Sequence, residues 1–260
     1  MDADASPLKH SIALLAKEDS TDTIGNMKIL AIETTEKFGS VALLNGDYIL
    51  AELTLPKDKR SSQTLHPALY SLFEQTQITP QEIGIVAVVV GPGSFTGLRV
   101  GVTAAKVLAY TTGAKVIALD TFQTVAAANG GTAPGSWNGV ISIGVDAQRG
   151  EIVAAILRRT ESEHLETIRK PELVAVADWW KHAKQFDDVL FTGPALERWS
   201  SKAPPHIVLA NEADWFPKAS MAGKLAAGRI ASGQFDDVWS LLPIYSRLSA
   251  AEEKQNFASK

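Results

Sequence analysis

The chain has 260 residues, of which 45% are hydrophobic and 21% charged, with a formal net charge of −4 and no cysteine. That length can bury the cores of two lobes of ~100–150 residues, and the composition is that of a soluble globular protein. The missing cysteines exclude disulfides, thiolate catalysis and Cys-ligated zinc and suit a reducing cytoplasm, and no apolar run approaches the ~18 residues of a membrane helix.

Residues 1–26 hold five acidic against two basic residues, leaving −1 for the remainder. Their apolar stretch, 12–16, is too short and wrongly flanked for a signal peptide. They read as a flexible extension, with Met27 the first structural residue. Strands are expected at 28–32, 40–44 and 48–53, with Asn45-Gly46 as a two-residue hairpin turn. A charged loop at 56–60 leads to Ser61 or Ser62, either able to cap a helix that runs to about Gln77. Leu65, Leu69, Leu72 and Phe73 share its apolar face. Residues 85–90 are a continuous β-branched run, expected for a strand buried on both faces. A turn of Gly91, Pro92, Gly93 and Ser94 ends it, a helix covers 95–112, and a strand covers 115–119. Residues 130–136, rich in glycine with one proline, mark the boundary between lobes at 27–133 and 134–260. Beyond it, 140–145 and 151–157 form a hairpin around 146–150, 178–184 is helical, 189–192 is a strand, and 218–232 is an alanine-rich helix. No broad basic field is available for gripping RNA.

The turn at 91–94 is the richest segment chemically. Strand, glycine turn and helix N-terminus make an anion cradle, because unpaired backbone N–H groups point outward there. A phosphate loop of the Walker type would need Gly-Lys-Ser/Thr, and Gly97 is followed by Leu98 and Arg99. A dinucleotide fingerprint would need glycine at Thr96, although Asp120 mimics its ribose-binding acid. Gly97, Gly101, Ala104 and Ala105 give the helix a small-residue face. Either it packs tightly on its own sheet or it meets a second chain. Arg99 could neutralise an anion at the cradle or pair with a glutamate across an interface.

GPGSFTGLRVG (91–101) closely resembles the signature of the TsaB/YeaZ family. The likeness continues in KILAIETT (28–35), DTFQTVA (120–126) and IGVDAQRGEI (143–152), and more thinly in KPEL (170–173), Thr192-Gly193 and LPIYSR (242–247). It implies the two-lobed α/β fold of the actin/hexokinase/Hsp70 superfamily, which is ribonuclease-H-like. It further implies a non-catalytic subunit in tRNA threonylcarbamoyladenosine formation, an inactive paralogue of the transferase TsaD. The expected partners are TsaD-like and TsaE-like proteins, a homodimer when alone, and tRNA only through the complex. The resemblance places the partner surface on the helices carrying Leu65, Leu69, Gly97, Arg99, Gly101, Ala104 and Ala105.

Superfamily members hold phosphates between two acidic, glycine-bearing hairpins, one per lobe. Here Glu33, Thr34, Thr35 and Glu36 stand in the first, so the glycine that permits close approach is missing. The second keeps Asp146 and Gly150 with Gln148 and Arg149 between. A degenerate cleft is expected around Glu33, Thr34, Thr35, Gly91, Gly93, Ser94, Asp146 and Gly150. No cofactor is then expected on this chain alone, and an adenine nucleotide would sit only at an interface of the complex. None of His10, His66, His164, His182 and His206 has the i, i+4 spacing of a two-histidine metal site, and Ser94 has no adjacent base. No metal ligand and no catalytic residue is therefore nominated. The alternatives are an ATP-dependent small-molecule kinase of the same fold and a glycoprotease-like metallopeptidase. Trp179 and Trp180 read as core anchors, since no Lys/Arg cluster accompanies them.

Overall fold

A computed structural model describes residues 27–129, 137, 139–160, 164–184, 186 and 188–246. The expected extension (1–26), the glycine-rich boundary (130–136) and Arg247 lie outside the described residues. The strands are β1 (Lys28–Glu33), β2 (Ser40–Asn45), β3 (Tyr48–Thr54), β4 (Ile83–Gly91), β5 (Lys115–Asp120), β6 (Val140–Asp146), β7 (Glu151–Arg159), β8 (Leu165–Ala175), β9 (Val189–Thr192) and β10 (Val208–Leu209). The helices are α1 (Ser61–Thr76), α2 (Phe95–Thr112), α3 (Thr121–Ala128), the short α4 (Val176–Trp179) and α5 (Leu196–Trp199), and α6 (Ala219–Ala231).

Two five-stranded sheets form, in the orders β3-β2-β1-β4-β5 and β10-β9-β6-β7-β8. Counted from its own first strand, each sheet has the same order. Each also has the same sense: two antiparallel pairings lead out to one edge and two parallel pairings to the other. The chain is thus one topology used twice, a repeat that the sequence does not show to the eye.

The pleat sorts the first sheet's side chains into two cores. Leu30, Ile32, Val86 and Val88 face α1 and α2, meeting Leu65, Leu69, Val102 and Ala105. Ile29, Ala31, Ile85 and Ala87 face the opposite way and are covered by Ala219, Ala222, Ala226 and Ile230 of α6. Alanine and glycine let α6 lie close to the strands: a Cβ at Gly223 would strike the Leu44 side chain. In the second lobe β6 and β7 meet Trp179, Trp180 and Phe191 on one face. Their other face meets Phe122, Val125 and Ala126 of α3. The two tryptophans stack at 4.5 Å in that core, in the role expected of them.

These cores correct the expected boundary between 133 and 134. Helix α3 precedes it yet buries its apolar face on the second sheet, and α6 follows it yet covers the first. Burial of apolar faces, not position along the chain, decides lobe membership.

Local corrections have local causes. Ser61 is the first residue of α1, and its N-cap, Arg60, makes no side-chain cap bond. The β2–β3 turn is Gly46-Asp47, because Asn45 pairs with Tyr48, and Gly46 takes φ 59°. Strand β8 was not anticipated: it is an edge strand with mostly exposed residues and Pro171 inside, so its sequence carries no alternation.

Candidate functional site

Four connections meet at a cleft between the lobes: residues 34–39 after β1, 92–94 after β4, 147–150 after β6 and 193–195 after β9. The cavity there measures about 1100 Å³, with Glu36, Ser94, Gly97, Asp146, Gln148 and Glu197 among its lining residues. It brings both predicted hairpins and the glycine turn together, as the sequence grouped them.

Glu33 ends β1 and is wholly buried. Its Oε1 accepts from the Thr35 backbone N–H (2.5 Å) and from Thr35 Oγ1 (2.6 Å). Its Oε2 is buried without a partner. Burial pushes this carboxyl up to about 8, against the opposing pull of the Thr35 hydrogen bonds. At neutral pH Glu33 is therefore chiefly an uncharged acid. Glu36 is also pushed up to about 8, by burial first and then by the negative charges of Glu33, Asp146 and Glu197.

The glycines serve this same turn. Thr34 Oγ1 donates to the Gly97 carbonyl (2.8 Å) and the Ser94 N–H donates to the Thr35 carbonyl (2.6 Å). A Cβ at Gly93 would collide with Thr35, and one at Gly97 or Gly101 with Thr34. The close approach allowed by the small residues is thus filled by the chain's own first hairpin. This corrects their assignment to a partner surface: Gly97, Gly101 and Ala105 are buried in the first lobe, as are Leu65 and Leu69, and Ala104 is half-buried.

Ser94 caps α2, its side chain accepting from the Gly97 N–H at 3.3 Å. Gly91, at φ 121°, has its Cα face against the Ile244 carbonyl. Asp120 caps α3 by accepting from the Gln123 N–H (2.7 Å), and burial raises its pKa. It is a helix cap in the position where a ribose-binding acid was considered.

In the second hairpin Asp146 Oδ1 accepts from the Gln148 N–H (2.9 Å), and Oδ2 lies 3.4 Å from Arg198. Gln148, Arg149 and Gly150 all have positive φ, so two side-chain-bearing residues occupy left-handed backbone where small ones would fit at least cost. Lys37 pairs with Glu197 across the cleft, and Phe38 meets Phe216 edge-on at 4.6 Å.

Arg99 takes neither of its expected roles. Its guanidinium lies on the Phe95 ring (3.9 Å), and its Nε donates to Tyr245 Oη (2.9 Å). Tyr245 belongs to a strap after α6 that sequence reasoning missed. Asp236 accepts from the Ala118 N–H (2.7 Å), Lys106 donates to the carbonyls of Trp239 and Leu241, and the Ile244 N–H donates to Val90. Only Leu241, buried among apolar neighbours, hints at this course, and its partners are too distant in sequence to infer.

Among the described residues no three His, Asp or Glu side chains come together as a metal site. The described residues do hold a Ser/His contact, Ser142 Oγ to His182 Nδ1 at 3.2 Å. Trp179 Nε1 also donates to that hydroxyl, and Arg169 sits 3.2 Å from His182 Nε2. Ser142 is wholly buried and His182 nearly so, which closes the pair to substrate. No described helix is long and apolar enough to cross a membrane.

Comparison with known proteins follows the same line. Residues 49–227 match the family described as TsaD, tRNA N6-adenosine threonylcarbamoyltransferase. The chain is similar to the tRNA threonylcarbamoyladenosine biosynthesis protein TsaB of Bacillus subtilis (strain 168), at 33% identity over 88% of this chain and 97% of that one. It is similar to TsaB of Escherichia coli (strain K12) at 28% identity over 88% and 98%. Among solved structures, YeaZ from Pseudomonas aeruginosa superposes with a TM-score of 0.68 at 21% identity, covering 84% of this chain and 99% of that one.

Proposed function

The chain belongs to the TsaB family of tRNA threonylcarbamoyladenosine biosynthesis proteins, and from that premise we propose that it serves there as a non-catalytic subunit. In this reading it binds and supports a TsaD-like transferase, together with a TsaE-like ATPase, and meets tRNA only within that complex. The observation that carries it is the occupation of the glycine turn by the chain's own first hairpin. Thr34 and Thr35 take the space left by Gly93, Gly97 and Gly101, and Glu33 is sealed beneath them. The cavity beyond stays open, but the close approach those glycines allow is already used by the chain itself, and a buried neutral carboxyl is a poor ligand for a phosphate-bound cation. An adenine nucleotide would then bind at an interface of the complex. The same filling speaks against a kinase of this fold.

Helices α1 and α2 lie side by side over one face of the first sheet. Their outer surfaces expose the large side chains Tyr70 (64%), Val107 (56%) and Tyr110 (68%). These side chains, and not the buried glycines, are the partner-facing residues we assign. A homodimer using the same face would exclude the transferase. The double change Tyr70→Glu with Tyr110→Glu should abolish both assemblies in light scattering while circular dichroism still reports a folded chain. Calorimetric titration of the wild type with ATP and magnesium should give no binding in the micromolar range. A dissociation constant near ~1 μM, about −8 kcal/mol, overturns the filled-cleft reading, and normal transferase binding by the double variant overturns the interface.

A further inference from the structure

The cleft is lined by groups of both charges. Glu36, Asp146 and Glu197 supply the acids, and Asp146 and Glu197 are already paired with Arg198 and Lys37. On the rim the loop from β3 to α1 carries Lys57, Lys59 and Arg60, all exposed and all lining the same cavity. None of the three has an ion-pair partner among the described residues. Lys57 hangs over the Phe38 ring (5.8 Å), which is itself fixed against Phe216. Asp58 is the one acid in the loop, and the first turn of α1 adds none.

We propose that this rim, Lys57, Lys59 and Arg60, holds the phosphodiester backbone of the tRNA that the complex modifies. The inference rests on the functional reading above, since it needs RNA delivered beside this chain. The rim lies where α1 and α2 both begin, next to the face assigned to the transferase, so RNA held by that partner passes close to it. A polymer suits the site better than a mononucleotide. A small anion sinking into the cavity would meet three carboxyl groups, whereas a backbone crossing the rim meets cations spaced along a loop. Glu36, which lines the same cavity, is pushed up to about 8 by burial first and then by its acidic neighbours, so it adds little negative charge beneath a backbone held there. Contacts of this kind position RNA without reading its sequence. They are compatible with a chain whose overall charge is negative, since the field is local.

The test is fluorescence anisotropy with labelled, unmodified tRNA, read from 50 to 300 mM salt on the wild-type complex and on the full chain alone. The variant is Lys57→Glu/Lys59→Glu/Arg60→Glu. The control, Lys170→Glu/Lys184→Glu/Lys224→Glu, makes the same change of charge at exposed sites away from the cleft. Loss of three phosphate contacts should weaken binding by ~10-fold or more near 0.1 M salt and flatten the log–log salt slope by about 2–3. The control should weaken it less than threefold. Light scattering on the same samples reports assembly. If the wild-type complex never forms, the functional reading fails and the rim proposal falls with it. Light scattering separates that outcome from failure of the rim within an assembled complex, and the full chain alone serves as the baseline. Unchanged affinity and slope in the rim variant overturn the proposal. So does loss of partner binding with RNA affinity retained, which would make the rim a docking site for an acidic protein surface.

Discussion

Replacing Glu33 with glutamine should stabilise the protein above neutral pH and leave it nearly unchanged at pH 5. The carboxyl is wholly buried and pushed from 4.5 to about 8 by loss of solvent. Between those values the folded chain keeps a proton that the unfolded chain has lost, so folding becomes less favourable as pH rises, by about 1.4 kcal/mol per unit. The contribution is intact below pH 4.5 and is lost as pH climbs through about 8. At pH 7 the accumulated cost is about 3 kcal/mol, a sizeable part of an ordinary ~5–15 kcal/mol stability. Glutamine keeps the acceptor for both Thr35 donors, and its amide replaces an oxygen that already lacks a partner, so the neutral swap itself costs little. Urea unfolding at pH 5, 6, 7 and 8 should show the two proteins diverging steadily, the variant ahead by about 4 kcal/mol at pH 8. Parallel curves, or a variant less stable at pH 8 than at pH 5 relative to wild type, would refute a neutral buried Glu33.

Two glycines on helices should respond in opposite directions to alanine. Gly97→Ala drives a methyl into the Thr34 carbonyl, which the backbone cannot swing aside, and should cost about 2–3 kcal/mol in thermal or urea melts. Gly228→Ala, exposed on α6 with nothing within 4 Å, should gain roughly 0.5–1 kcal/mol, and equal effects at the two sites would discredit the packing argument. His182 is held below its usual range by burial and then by Arg169, with Glu172 pulling the other way. Its contribution is fully present above pH 6.5 and fades as pH falls, so the wild-type melting temperature should drop more steeply from pH 7 to 5 than that of His182→Gln. Identical slopes would show that the ring titrates freely.

Much of this architecture is written locally. Residues 85–90 announce a doubly covered strand because six β-branched or small apolar side chains run without a polar break, and the structure buries both of its faces. The hairpins at 40–54 and 140–157 and the turn of glycines are equally local signals. What escaped depends on partners far along the chain. The small face of α2 is real, but whether it meets a neighbour's helix or Thr34 depends on where β1 ends in space, sixty residues earlier. Local sequence offers Arg99 an anion at the cradle or a glutamate across an interface, because Tyr245, its actual acceptor, lies 146 positions away. The polar edge strand β8 shows no period because neither of its faces is strongly buried.

The exchange of α3 and α6 between the sheets has a consequence for how the molecule can be divided. Cut between α3 and β6, the first fragment would hold a sheet with one face stripped and a helix with nothing to cover, and the second fragment would be its mirror case. Each piece carries what the other lacks, so two co-expressed halves should reassemble where either one alone would aggregate. The same interlacing limits how the cleft can open. α3 and α6 touch each other, so any rotation of one lobe against the other would have to move this helix contact.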